Sequence, residues 1–260
     1  MGVDGKRPGL SAERRADLCA SWAQIQDPQK LLTEVFETLG DGVAIGTSGQ
    51  LSGVTLLDMA SRTGKPFRVF CVDTHRLHES TYELWRTLEK HYGIELEIYR
   101  PDAARVDKMV GQHGEHLFFD SRFKQEHCCD IRKVQPHRKA LETMDAWISG
   151  IRRDQSANRQ DAQRCSEVQY EGRSLLKISP LVEWDEEDIW AYVRENNVPY
   201  DPLFDPLPGG GRYPSVGCII CTTAILPHED PRAGRWRWFN EQDGDHKKEC
   251  GIHLDTSAKS

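Results

Sequence analysis

Residues 41–62 read DGVAIGTSGQLSGVTLLDMASR. A short apolar run, Val43 to Ile45, gives way to a loop of Gly, Thr and Ser. Helical spacing then begins, through Val54, Leu57 and Met59. An apolar run that ends in a turn and passes into a 3.6-residue period is a strand followed by a helix. The unit recurs. FRVFCVD (67–73) reads as a second strand, STYELWRTLEKHYG (80–93) as a helix, IELEIYR (94–100) as a strand and AARVDKMVGQHG (103–114) as a helix. DAWISGI (145–151) reads as a further buried strand, ending in polar RRDQSANRQ (152–160). This alternation predicts an α/β fold with a doubly wound, mainly parallel sheet. Ligands of such sheets bind beyond the carboxyl ends of the strands. Three loops occupy that place: TSGQLSG (47–53), DTHRLH (73–78) and RRDQSANR (152–159).

Outside this repeat the character changes. Residues 11–38 read as one or two helices, with Leu18, Trp22, Ile25 and Leu31 or Leu32 apolar. They define an N-terminal helical segment, 1–40, ahead of an α/β domain spanning 41–225. WDEEDIWAYVRENN (184–197) is a helix with an acidic first turn. YDPLFDPLPGGGRYPSVGCIICTT (200–223) is too rich in Pro and Gly for regular structure. The C-terminal segment, 226–260, is polar, and its end is expected to be mobile.

Composition narrows the class of molecule. Of 260 residues, 38% are hydrophobic, enough for a core, while 29% are charged and the mean hydropathy is −0.64. A net charge of −7 argues against general nucleic-acid affinity and leaves room for a local basic pocket. No apolar signal region opens the chain, and no window approaches a membrane span. The expectation is a cytoplasmic protein, with neither membrane nor nucleic acid as partner.

The cysteines are unevenly placed. Cys128 and Cys129 are adjacent, Cys218 and Cys221 form C-x-x-C, and Cys19, Cys71, Cys165 and Cys250 stand alone. Adjacent cysteines bridge each other poorly. Two pairs from two loops supply four thiolates, enough for tetrahedral zinc or an iron–sulfur cluster. Adjacent ligands suit a cluster better, since separate iron atoms give neighbouring thiolates separate targets. Cys71 and Cys165, in strand-like runs, read as buried structural thiols. Cys250 lies in HKKECGIH, where His246, Lys247, Lys248 and His253 lower a thiol's pKa and favour a nucleophilic thiolate. The loop TSGQLSG, between strand and helix, suits a phosphate held by backbone N–H groups. It lacks the Gly-Lys-Ser/Thr ending of a Walker A loop.

Five segments together resemble the assimilatory adenylyl-sulfate (APS) and phosphoadenylyl-sulfate (PAPS) reductases. They are VDTHRLHESTYEL, CCDIRKVQP, ISGIRRDQS, GCIICT with the following AGRW, and KKECGIH, in the family's order over about residues 42–253. The resemblance implies an adenine-nucleotide α-hydrolase-like (Rossmann-like) fold. It implies that Cys128, Cys129, Cys218 and Cys221 bind one [4Fe–4S] cluster, the set that goes with APS rather than PAPS. Cys250 would attack the sulfate sulfur of APS, displacing AMP, and thioredoxin or glutaredoxin would release sulfite. Matched by position, Lys133, Arg232 and Arg235 would contact the phosphosulfate, with Arg152 and Arg153 assisting. Ser48 and Gly49 of the phosphate loop and Asp73 and Thr74 of the strand end would complete the substrate site, and His253 would orient the thiolate. Some members are tetramers, which leaves a homo-oligomer open.

The chain departs from the family pattern at three points. Its phosphate loop, Ser48-Gly49-Gln50-Leu51-Ser52-Gly53, is one residue longer and lacks the usual acid. His75 stands where Gly often follows Asp-Thr, and Thr223 where a basic residue often follows the C-x-x-C threonine. Three rivals remain: the same reaction on PAPS, an ATP-using sulfur-transfer enzyme of the related pyrophosphatase class, and a non-catalytic iron–sulfur sensor.

Overall fold

The computed structural model describes residues 6–170 and 172–240. In chain order the elements are α1 (Ala12–Ala23), α2 (Pro28–Leu39), β1 (Val43–Gly46), α3 (Leu51–Arg62), β2 (Arg68–Val72), α4 (Glu79–Tyr92), β3 (Leu96–Tyr99) and α5 (Ala103–His113). There follow α6 (Arg122–Cys129), a π-helical turn (Asp130–Val134), α7 (Gln135–Leu141), β4 (Ala146–Ser149), β5 (Cys165–Tyr170), β6 (Arg173–Ile178), α8 (Glu186–Glu195) and a last short turn, α9 (Arg237–Asn240).

The local chemistry accounts for the main boundaries. Asp27 caps α2 by accepting from the Lys30 N–H at 3.0 Å, with Pro28 preset in the first turn. Gly93, at φ 64°, ends α4 in the left-handed conformation that L side chains avoid. A reciprocal capping box between Asp185 and Asp188 opens α8.

The six strands lie in the order β3-β2-β1-β4-β6-β5, parallel except for the β5–β6 hairpin at one edge. From β1 the chain winds outward through β2 and β3, then returns to place β4 on the other side of β1. The loops leaving β1 and β4 therefore diverge and open a crevice at the sheet's carboxyl edge. Gly46 of β1 is opposite Phe70 of β2 and Ser149 of β4 at that edge.

Alternate residues of each strand face two apolar layers. Val43, Ile45, Val69 and Ile148 pack against α1 to α4 and α8, so the N-terminal helices share the main core. Ala44, Phe70, Trp147 and Leu175 face the other way, onto Leu141 of α7 and Trp236. A small third group, Met109, Leu117, Phe118, Cys128 and Ile131, lies under α6.

Sequence patterning missed α6 and α7, and the reason is physical. In RFKQEHCC only Gln125 and Cys128 are buried, so no apolar stripe marks the helix. Ser121, which accepts from the Lys124 N–H at 3.2 Å, was the one available signal. The π turn, closed by the Gln135 N–H on the Asp130 carbonyl, follows Cys129 directly. Such turns concentrate at functional sites.

His137 of α7 is a buried cation-former inside the second layer, its ring 4.8 Å from that of Trp147 and 5.6 Å from that of Phe70. Burial, then Lys133 and Lys177, push its pKa down to about 3. The unfolded chain takes up this proton near pH 6.5, so stability from this residue is complete above about 6.5 and is lost as pH falls towards 3. Between pH 7 and pH 5 the loss is about 2 kcal/mol, at about 1.4 kcal/mol per unit below 6.5. Denaturant unfolding at both pH values should show His137→Leu losing about 2 kcal/mol less than the wild type.

Candidate active site

The crevice is a cleft of about 540 Å³. The β1–α3 loop forms its floor, the loop after β4 one wall, and the irregular segment 205–217 with Arg232 and Arg235 the other. It is built by close approaches. A Cβ on Gly53 would fall 2.2 Å from Thr47 Oγ1, so only glycine lets the loop fold back onto the first turn of α3.

That turn faces the cleft. Gln50, at its N-cap, makes no side-chain bond to the helix's own N–H groups. Ser52 follows, and its Oγ accepts from Arg152 Nη1 at 2.6 Å. Asp154 holds the rest of that guanidinium, at 2.9 Å on Nε and 3.0 Å on Nη2. Arg152, paired with Asp154, thus stands fixed beside the positive end of α3, and such a helix end attracts anions.

At the end of β2, buried Asp73 accepts from the Tyr82 hydroxyl at 2.8 Å and the His75 N–H at 2.9 Å, and pairs with Arg100 at 3.3 Å. His75 has φ 57°, a left-handed conformation that favours glycine; the Asp73 bond holds the strained turn. Thr74 lines the cleft, its carbonyl accepting from buried Arg132 at 3.1 Å and its hydroxyl 3.2 Å from Cys218 Sγ.

Lys133, from the π turn, reaches the cleft from the α6–α7 side. Arg235 bonds Thr222 Oγ1 at 2.6 Å, and its neighbour Trp236 is buried at φ 47°, its N–H on the Cys221 carbonyl. Arg237 donates to Thr223 Oγ1 at 3.1 Å and pairs with Glu229.

Cys128, Cys129, Cys218 and Cys221 all line one small cavity of about 30 Å³, together with Arg76, Arg132 and Lys133. Cys129, Cys218 and Cys221 line the large cleft as well. Burial raises the Cys128 thiol pKa, opposed by Arg132 and Arg76, and pushes that of Cys221 up to about 12. Among the described residues, no three His, Cys, Asp or Glu side chains converge as ligands of a single metal ion.

Residues 42–224 match the phosphoadenosine phosphosulfate reductase domain. The chain belongs to that family. Its relatives include the adenosine 5′-phosphosulfate reductase of Burkholderia cepacia, 38% identical over 90% of this chain and 89% of that one. The enzyme of the same name from Allochromatium vinosum is also 38% identical, over 86% and 83%. The PAPS reductase of Candida auris, solved as a phosphate complex, superposes with a TM-score of 0.65 at 27% identity, covering 85% of this chain and all of that one. The FMN adenylyltransferase of Candida glabrata, at 13% identity and TM-score 0.53, shares the fold.

Against the expectations for a phosphoadenosine phosphosulfate reductase domain, Ser48, Thr74, Lys133, Arg152, Arg232 and Arg235 line one cleft. Three residues do not. Arg153 turns outward, its Nη1 2.7 Å from Glu183 and its Nε on the Ala162 carbonyl. The backbone alternates here, so Arg152 lines the cleft and Arg153 faces Glu183. Gly49 (φ 83°) and Asp73 build the loops that bear Ser48 and Thr74 and do not line the cleft. Cys250 and His253 lie outside the described residues. Sequence reasoning missed Gln50, Arg132 and His137; for Arg132 the signal was its place three residues after Cys129.

Proposed function

We propose that this chain reduces APS to sulfite and AMP in sulfate assimilation, through an S-sulfonate on Cys250. The observation that carries the reading is the convergence of Lys133, Arg152, Arg232 and Arg235, from three separate parts of the sequence, on one cleft beside the start of α3. A nucleotide phosphosulfate is a compact dianion, and four cations beside a helix N-terminus match it. The relatives named as adenosine 5′-phosphosulfate reductases support the same substrate.

The chemistry balances with few protein groups. The Cys250 thiolate forms an S–S bond to the sulfate sulfur, and the S–O bond to AMP breaks. A thiolate of thioredoxin, or of glutaredoxin, then attacks the Cys250 sulfur and expels sulfite. Its second thiol resolves the mixed disulfide, restoring Cys250 and leaving the reductant oxidised. AMP leaves readily, so the cations act by holding the anion in line and neutralising charge on the departing phosphate. No helix among the described residues is long and apolar enough to cross a membrane. The reading is of a cytoplasmic enzyme.

The reading assigns a [4Fe–4S] cluster to Cys128, Cys129, Cys218 and Cys221. The donor set fits: four thiols surround one cavity whose other walls carry Arg76, Arg132 and Lys133. A single zinc draws its thiolates to about 3.8 Å of one another, following from Zn–S bonds of about 2.3 Å. A cluster spreads its thiolates, one per iron, which suits two adjacent cysteines. When bound, the cluster supplies positive metal charge that keeps buried thiolates deprotonated and ties α6 to the C-x-x-C loop.

Gly217 provides a test of the cations. A Cβ there would fall 2.1 Å from Arg235 Nη1, so Gly217→Ala should swing Arg235 off Thr222 without unfolding the chain. Losing one charge-assisted contact weakens AMP binding about tenfold, readable by titration calorimetry.

The deciding experiment incubates anaerobically purified protein with APS, PAPS or neither, without reductant, and seeks a sulfonate on Cys250 by peptide mass spectrometry. An adduct from APS alone is expected. The similarity to the Candida auris PAPS reductase makes PAPS the second reading, and an adduct from PAPS alone would establish it. No adduct from either would overturn the reductase reading, and pyrophosphate release from ATP would then point to sulfur transfer.

A further inference from the structure

Gln50 sits at the departure of the phosphate loop from its family pattern, and its side chain does something unusual for an N-cap. Residues there normally fold back to accept from their own helix. Gln50 instead reaches across 166 positions of sequence to Val216. Its Nε2 donates to the Val216 carbonyl at 2.5 Å, and its Oε1 accepts from the Val216 N–H at 3.1 Å. A primary amide that engages both groups of one residue fixes that residue's orientation as well as its position, as a strand neighbour would.

Two features give this clamp functional reach. Turning away leaves the first-turn N–H groups of α3 without a side-chain cap, on the face where Ser52 and Arg152 meet. Val216 also lies two residues before Cys218, in a stretch bolted down at further points. Cys218 Sγ is 3.2 Å from Thr74 Oγ1, and the Ile219 N–H donates to the Arg76 carbonyl at 2.8 Å. Between them, Gly217 packs against the Arg235 guanidinium. Residues 216–219 are therefore held by the loops after β1 and β2, and only Gln50 ties them to the phosphate loop by a side chain among the described bonds.

We propose that Gln50 is a positioning residue: it joins the phosphate loop to the C-x-x-C loop, so that nucleotide bound at the first orders Cys218 and Arg235 at the second. The inference rests on the nucleotide reading above and adds a residue to it. Methionine at this position keeps the length and removes both hydrogen bonds. Glutamate keeps an acceptor for the Val216 N–H and sets a second oxygen against the Val216 carbonyl, leaving half the clamp.

Hydrogen exchange read by mass spectrometry, on the full anaerobic chain with and without AMP, tests this without recourse to turnover. In the wild type, AMP should slow exchange in residues 47–54 and also in 216–221. In Gln50→Met the slowing at 47–54 should persist while that at 216–221 falls at least fivefold; a merely structural role would change exchange equally with and without AMP. Gln50→Glu should give an intermediate loss, and it decides the matter if Gln50→Met does not fold. Wild-type slowing at 216–221 in the variants overturns the inference, as does a wild type in which AMP slows only 47–54; both leave the nucleotide reading standing. AMP that slows neither segment in the wild type removes the nucleotide reading and this inference with it.

Discussion

Cys250→Ser is expected to lower sulfite formation by at least about 10⁴-fold while changing AMP affinity by less than about twofold. The loss is large because the sulfur does two jobs that oxygen cannot. A serine hydroxyl stays protonated at neutral pH, where thiols provide the thiolate that is the nucleophile. An O-sulfonate would also offer the reductant no S–S bond to exchange, so a serine that did react would be trapped. AMP affinity holds because the cations that line the cleft, Lys133, Arg152, Arg232 and Arg235, belong to other parts of the chain. Single-turnover sulfite release and AMP titration read the two effects separately. Sulfite formation unchanged by the substitution would sink Cys250 as the nucleophile.

Cys128→Ser is expected to strip most of the iron and the visible absorption from anaerobically purified protein. Sulfite formation should fall beyond the roughly 10–100-fold that follows loss of an outer-shell metal partner. Cys128 is buried against Phe118 and Ile131, so serine also sets a hydroxyl in an apolar group, at a cost of about 1–3 kcal/mol. Cys71→Ser separates the two effects. Cys71 is wholly buried in β2, and burial raises its pKa, so the core penalty is similar. No ligand is lost there, and iron content should stay at the wild-type level. Equal iron in all three proteins would remove Cys128 from the ligand set.

The parallel half of the fold was legible because its strands are short apolar runs, as in Val43–Gly46 and Ala146–Ser149, each leading into a polar loop. The antiparallel hairpin was half read. Cys165–Tyr170 looked strand-like, but Arg173–Ile178 sits in GRSLLKIS, whose short alternation gave no period to recognise. In the site, the residues with distinctive chemistry were the ones the sequence could point to, since two cysteine pairs and paired arginines stand out in any pattern. What stayed hidden was direction. Nothing in RRDQS says that Arg152 faces the cleft and Arg153 faces Glu183. Nor does SGQLSG say that Gln50 grips a residue 166 positions away. Such choices are made by tertiary neighbours, to which a local pattern carries no reference.

The C-x-x-C loop also has a consequence for how the protein is made. It is pinned by Gln50, Thr74 and Arg76, all far upstream. Cys128 and Cys129 leave the ribosome about 90 residues before Cys218 and Cys221, an interval of roughly 5–20 seconds at ordinary rates of elongation. Throughout that interval Cys128 and Cys129 are in the chain and the C-x-x-C pair is not. The nascent chain therefore carries Cys128 and Cys129 through this interval before the C-x-x-C loop can dock on the loops after β1 and β2. Slowing translation between these pairs should lengthen the window in which the first two can be oxidised.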